Sequence, residues 1–169
     1  RTFADRLASH LATIGPACVV DAAGMDRDLQ DPGIAGRDGL DAEANRRITL
    51  HLNELEAAHD FVLLVGDDQP TPWSQRCCRS ADEILLLADA AKPPELHDTE
   101  KECLMSQPGR SEAAEVLVLL HPPDLPCPRD THTWLARRPV DDPLHIRPDL
   151  PADMARLARI QSHTAVGLV

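Results

Sequence analysis

Three stretches of five consecutive apolar residues constrain this chain more than anything else in it: Phe61-Val62-Leu63-Leu64-Val65, Ile84-Leu85-Leu86-Leu87-Ala88 and Val116-Leu117-Val118-Leu119-Leu120. Each is short for a buried helix and lacks the alternation of a strand with one wet face. A run of this kind, rich in Val and Leu, reads as a strand covered on both faces, the habit of parallel sheets. Parallel neighbours need a crossover between them, usually a helix, and the intervening segments supply helices. Thr2 to Ile14 places Phe3, Leu7, Leu11 and Ile14 on one helical face, and Gly15-Pro16 stops it. Leu40 to His59 repeats the pattern with Ile48, Leu52 and Leu55. Shorter helices are expected over Trp73–Ser80, Glu95–Met105, Thr131–Ala136 and Ala152–Ser162, with Pro151 opening the last. Ala17 to Val20 and the weaker Pro143 to Arg147 read as two further strands. Residues 22–39 hold four glycines and read as a long irregular loop with one helical turn near Leu29. The expected fold is α/β: a doubly wound, mainly parallel, Rossmann-like sheet with helices on both faces.

Composition narrows the function. The chain has 169 residues, enough for one domain with a sizeable core. Its net charge of −11 argues against a general nucleic-acid binder or a polybasic membrane anchor. Aromatic residues make up 2% and Tyr is absent, so base-stacking platforms are not expected. No apolar run is long enough to span a bilayer, and no secretory leader is expected. The five cysteines are scattered, which fits reduced thiols in a cytosolic setting.

In open α/β sheets, ligands bind beyond the carboxyl ends of the strands. Here those ends carry Asp21, Asp67, Asp68, Asp89 and His121. The four aspartates are the candidate cofactor-binding crevice, since hard cations and nucleotide-bound metals take carboxylate oxygens. The plainer reading is that polar residues simply begin the loops. No Gly-x-x-x-x-Gly-Lys-Ser/Thr and no Gly-x-Gly-x-x-Gly is present, and the glycines from 33 to 39 read as a flexible loop. None of the serines, including Ser74 and Ser80, stands in a Gly-x-Ser-x-Gly elbow, so serine-esterase chemistry within these residues is not expected. Cys77-Cys78 lacks metal-ligand spacing, and one thiol is expected to pack inward while the other faces a loop. Trp73 and Trp134 read as edge-of-core packing, with interface anchoring as the alternative. The eight histidines show no ligand spacing and are expected to be solvated or singly hydrogen-bonded; no metal site is assigned.

Several stretches together resemble one family. They are Arg1 to Leu7, His59 to Val65 with Pro70-Thr71-Pro72-Trp73, Arg79 to Leu86, Leu119-Leu120-His121-Pro122-Pro123, and the ending from Arg156 through Ala165-Val166-Gly167-Leu168-Val169. This pattern resembles the linker region of neuropathy-target-esterase-like proteins, a branch of the patatin-like phospholipases. The resemblance implies that residues 1–163 form one linker or regulatory domain and that 164–169 begin a patatin domain. It places the catalytic Ser and Asp beyond Val169, so no catalytic residue carries over, and no cofactor is implied. The implied partners are intramolecular: an upstream cyclic-nucleotide-binding-like part and the downstream esterase domain. The implied location is cytoplasmic, with the parent peripheral to the inner face of a membrane. A nucleotide- or metal-binding module and a stand-alone interaction domain are the alternatives.

The strand pattern is also similar, more distantly, to chromosome-partitioning P-loop ATPases. Arg1 to Ala4 fall where their phosphate loop enters its helix, and Val19-Val20-Asp21 match a strand and its terminal Asp. Val65 stands where their metal-associated Asp would be, which implies a relative without the hydrolytic chemistry. In that fold the strand before the first helix is central, so an apolar slot is expected. Its expected occupant is Ala165–Val169 or the same strand of a neighbouring copy, giving a homodimer through an unpaired strand edge.

Overall fold

The computed structural model describes residues 2–105, 113–125, 127–140 and 142–165. The elements follow one another as α1 (Thr2–Leu11), β1 (Ala17–Asp21), α2 (Ala22–Asp28), α3 (Ala42–Ala58), β2 (Phe61–Val65), α4 (Pro72–Ser80) and β3 (Glu83–Asp89). Then come α5 (Asp98–Glu100), a π-helical turn (Lys101–Met105), β4 (Ala114–Leu120), α6 (Thr131–Leu135), β5 (Asp142–Ile146) and α7 (Pro151–Gln161). All strand pairs are parallel, as the apolar runs require. They form two sheets, β1-β2 and β3-β4-β5. The fold is α/β and Rossmann-like.

Side chains alternate across each strand, and the helices divide accordingly. On one face Val20 and Leu64 meet Met25 of α2, Ile48 and Leu52 of α3, and Trp73 and Cys77 of α4. On the same face of β4, Leu117 and Leu119 receive Trp134 of α6. On the other face Leu7 and Leu11 of α1 and Met154 and Leu157 of α7 cover Val116, Val118 and Ile146. That second cluster also takes in Phe61 and Leu63 of β2 and Leu85 of β3, so one apolar layer runs under both sheets. Arg6 of α1 donates to Pro148 O and to Asp149 Oδ1 beyond β5, which sets the start of α1 near the carboxyl end of the sheet.

Between the sheets the burial changes. β4 has a partner on each side, and Val116 through Leu119 are buried. β2 is as apolar, yet every residue in it is only half-buried. β3 leaves Leu87 46% exposed. Each of these two strands has one parallel partner among the described residues, and they are not bonded to each other.

Three expectations are corrected. Residues 22–39 are not irregular throughout, because Asp21 starts α2 by accepting a hydrogen bond from Gly24 N. The 33–39 loop is not free either. Asp26 accepts from Gly33 N and Ala35 N, Asp31 binds Arg37 and Arg47, and Ile34 is fully buried as a plug. The expected helix over Glu95–Met105 shrinks to α5 and the π-helical turn. The expected strand 165–169 lies outside the described residues, apart from Ala165.

Candidate functional site

The carboxyl ends of the strands carry the residues singled out above, and most of them serve the backbone beside them. Asp21 caps α2 through its 2.8 Å bond from Gly24 N. Asp67 Oδ2 accepts from Thr71 Oγ1 at 2.6 Å, and Thr71 Oγ1 in turn accepts from Ser74 N as the cap of α4. Asp68 contributes its backbone oxygen to Thr99 Oγ1. Asp89 accepts from Ala91 N in the turn after β3. Asp21 ends β1 and Asp67–Asp68 follow β2 in one sheet, whereas Asp89 ends β3 and His121 follows β4 in the other. Among the described residues, no group of three or more His, Cys, Asp or Glu is placed to hold a metal ion.

Ser74 is buried, and its hydroxyl is consumed by the same loop. It accepts from Asp67 N at 2.8 Å and donates toward the carbonyls of Gln69 and Asp67. A serine so placed is a staple for the loop after β2. Trp73 is also fully buried, and its indole donates to Val65 O at 2.8 Å. It thereby pins the end of β2 to the start of α4, as edge-of-core packing would. Trp134 packs on Leu117 and Leu119, with the Arg138 guanidinium 5.1 Å from its ring centre. Arg138 is itself buried, holding Glu100 through Nε and Nη2 and the carbonyls of Pro94 and Glu95.

The cysteine expectation needs correction, because neither member of the Cys77-Cys78 pair simply faces a loop. Cys77 packs in the α2–α4 cluster and Cys78 beside Ile84 and Cys103. Burial pushes the Cys77 thiol up to about 12 and the Cys78 thiol up to about 11, which keeps both protonated and unreactive.

Histidine is where sequence spacing missed an arrangement. His121, just past β4, and His145, in β5, bring their rings together, with Nε2 of the first 2.9 Å from Nδ1 of the second. The other nitrogen of His145 lies 3.2 Å from Thr131 Oγ1 at the start of α6. Parallel register creates the pair: Leu119 stands opposite His145 and Leu120 opposite Ile146, while His121 N donates to Ile146 O. Burial and the nearby Arg147 hold His121 below the usual imidazole range, against an opposing pull from Asp89. His145 is lowered by burial, by His121 and by Arg156, which donates to the His145 carbonyl. A cleft of about 510 Å³ lies elsewhere, between α1 and α7, lined by His10, Thr13, Ile14 and Arg159 among others. No helix among the described residues is long and apolar enough to cross a membrane.

The chain is similar to known proteins over nearly its whole length. The profile described as Neuropathy Target Esterase family P-loop like domain matches residues 1–163. Patatin-like phospholipase domain-containing protein 7 of Rattus norvegicus is 30% identical over 193 aligned residues, covering 99% of this chain and 14% of that protein. Patatin-like phospholipase domain-containing protein 6 of Mus musculus is 28% identical, with the same two coverages of 99% and 14%. Lysophospholipase NTE1 of Eremothecium gossypii is 35% identical over 104 residues, which is 61% of this chain and 7% of that protein. The chain thus spans a small part of the length of the curated relatives it matches. No solved structure matches.

Proposed function

The chain belongs to the Neuropathy Target Esterase family as its P-loop like domain, and we propose that it is a non-catalytic scaffolding or regulatory unit of a longer lysophospholipase. The observation that carries this reading is the state of Ser74. It is the one buried serine among the described residues, and its hydroxyl is engaged by the loop it closes rather than presented to a substrate. Val65 at the end of β2 adds to it, since its carbonyl is engaged by Trp73 and its side chain offers no metal ligand.

In this reading the domain sits in the cytoplasm between a cyclic-nucleotide-binding-like part and a patatin esterase domain, and spaces or couples the two. Residues 1–163 are the unit, and 164–169 lead into the esterase. The half-buried edges of β2 and β3 are where it takes up a strand from outside the described residues. A second copy of the chain is the other source of such a strand, and it would give a homodimer.

The test is hydrolysis. The 169-residue chain is expected to turn over neither lysophospholipid nor a phenyl ester, while the longer protein does. Turnover by the isolated chain that vanishes in Ser74→Ala would overturn the reading. Loss of activity in the longer protein on disrupting the β2–β3 edge, with the esterase domain still folded, would support coupling.

A further inference from the structure

His121, His145 and Thr131 form a hydrogen-bonded chain with a direction. If Thr131 donates to His145 Nε2, then His145 Nδ1–H donates to His121 Nε2. In the reverse sense, His121 Nε2–H donates to His145 Nδ1, and His145 Nε2–H donates to Thr131 Oγ1. Either way a single hydrogen lies between the rings. One added proton is accommodated at an outer nitrogen, and the central bond then becomes charge-assisted. A second added proton puts a hydrogen on each of the two facing nitrogens. At 2.9 Å these cannot coexist, and the rings must part.

The joint that this chain holds is strained. Asp130, immediately before α6, has φ 59° and ψ 20°, a left-handed conformation uncommon for a residue other than glycine. Its carbonyl accepts from Thr133 N and Oγ1 on the helix side. Thr131 ties the same turn to His145 on the sheet side. The far end of α6 has separate anchors, Trp134 in the core and the Arg138–Glu100 pair.

We propose that the His121–His145–Thr131 chain is a proton-operated latch, which clamps the first turn of α6 to the carboxyl end of β4 and β5 and releases it when the ring pair takes a second added proton. The charges around it are mixed. Asp89 at the end of β3 favours a proton on His121, while Arg147 after β5 and Arg156 of α7 oppose protons on His121 and His145 respectively. Arg147 is held by Asp153 of α7, and α6 itself brings Asp130 and the exposed His132 to either side of Thr131. Burial and the two arginines keep the latch closed at neutral pH, and acidification opens it. Release is local, because the Trp134 end stays docked.

Hydrogen–deuterium exchange on the 169-residue chain tests this, at about pH 7.5 and about pH 5 and corrected for the intrinsic pH dependence of exchange. Amides of Thr131–Leu135 are expected to exchange severalfold faster at the lower pH relative to those of β4. Imidazole nitrogen shifts of His121 and His145 should titrate in two coupled steps. His145→Gln, which keeps a hydrogen-bonding side chain without titrating, should abolish the acceleration. His121→Asn is the second variant, should the first fail to fold. Equal protection of α6 at both pH values would overturn the proposal. So would the same acceleration in a folded variant, or a loss of protection in β4 that matches the loss in α6.

Discussion

At the scale of single residues, buried polar groups do most to fix the loops, and their removal should be felt. Arg138 is 5% exposed and satisfies Glu100 and two backbone carbonyls at once. Arg138→Ala would leave the Glu100 carboxylate short of its partner in a mostly buried setting. A loss of about 3 kcal/mol is expected, read from the urea midpoint at constant slope. The histidine pair gives stability a pH dependence whose sign follows from its lowered proton affinity. Burial and the neighbouring cationic groups lower the proton affinity of both rings in the fold, so the unfolded chain binds protons more readily. Their contribution is complete above about pH 6.5 and fades as pH falls through that value toward the folded pKa values. Urea unfolding should therefore show a lower midpoint at about pH 5.5 than at about pH 7.5, and His121→Asn should flatten that difference. An unchanged slope in the variant would assign the dependence to other groups.

At the scale of elements, short polar signals start and stop what the apolar runs demand. Asp41 accepts from Ala44 N at the head of α3, and Asp41→Ala should cost about 1 kcal/mol by the same measurement. Gly15 ends the turn after α1, and a Cβ there would collide with the Asp60 carboxylate, whose backbone N is bound to Pro16 O. Gly15→Ala should therefore destabilise, and Asp60→Ala should recover part of the loss in the double variant. Strictly additive losses would show that the collision is not the cause. These elements differ in how legible they are from sequence. The strands β2, β3 and β4 announce themselves because five apolar residues in a row leave few alternatives. Helix α2 does not, because Gly24 lies inside it and its start signal is an aspartate that also reads as a ligand. Ile34 is a single apolar residue in a glycine-rich stretch, and only its burial reveals a plug. The acidic strand ends were visible as residues, but their hydrogen bonds to Gly24 N, Thr71 Oγ1 and Ala91 N depend on loop geometry. His121 and His145 lie 24 residues apart with no repeat between them, so the pair exists only once β4 and β5 are in register.

At the scale of the whole molecule, the two sheets share one apolar layer without sharing a ladder. Phe61, Leu63 and Leu85 pack into the cluster under α1 and α7, yet β2 and β3 each keep one edge without a strand partner among the described residues. Unpaired edges of this kind template added strands, and an apolar edge exposed to water is a liability unless something covers it. The burial of β4 against that of β2 gives the contrast a direct readout. Amides on the outer edges of β2 and β3 should exchange much faster than those of β4, because exchange there needs only local fraying rather than opening of the sheet. A strand bound across the gap would erase this difference, in the longer protein or in a self-associated form of the chain. Leu87, 46% exposed on β3, offers the matching variant. Leu87→Lys should leave the β4 amides unchanged while weakening concentration-dependent association measured by sedimentation. If wild-type β2 and β3 already exchange as slowly as β4 in a chain that sediments as a monomer, the edges are closed from within. The coupling role proposed for them would then have to rest on another surface.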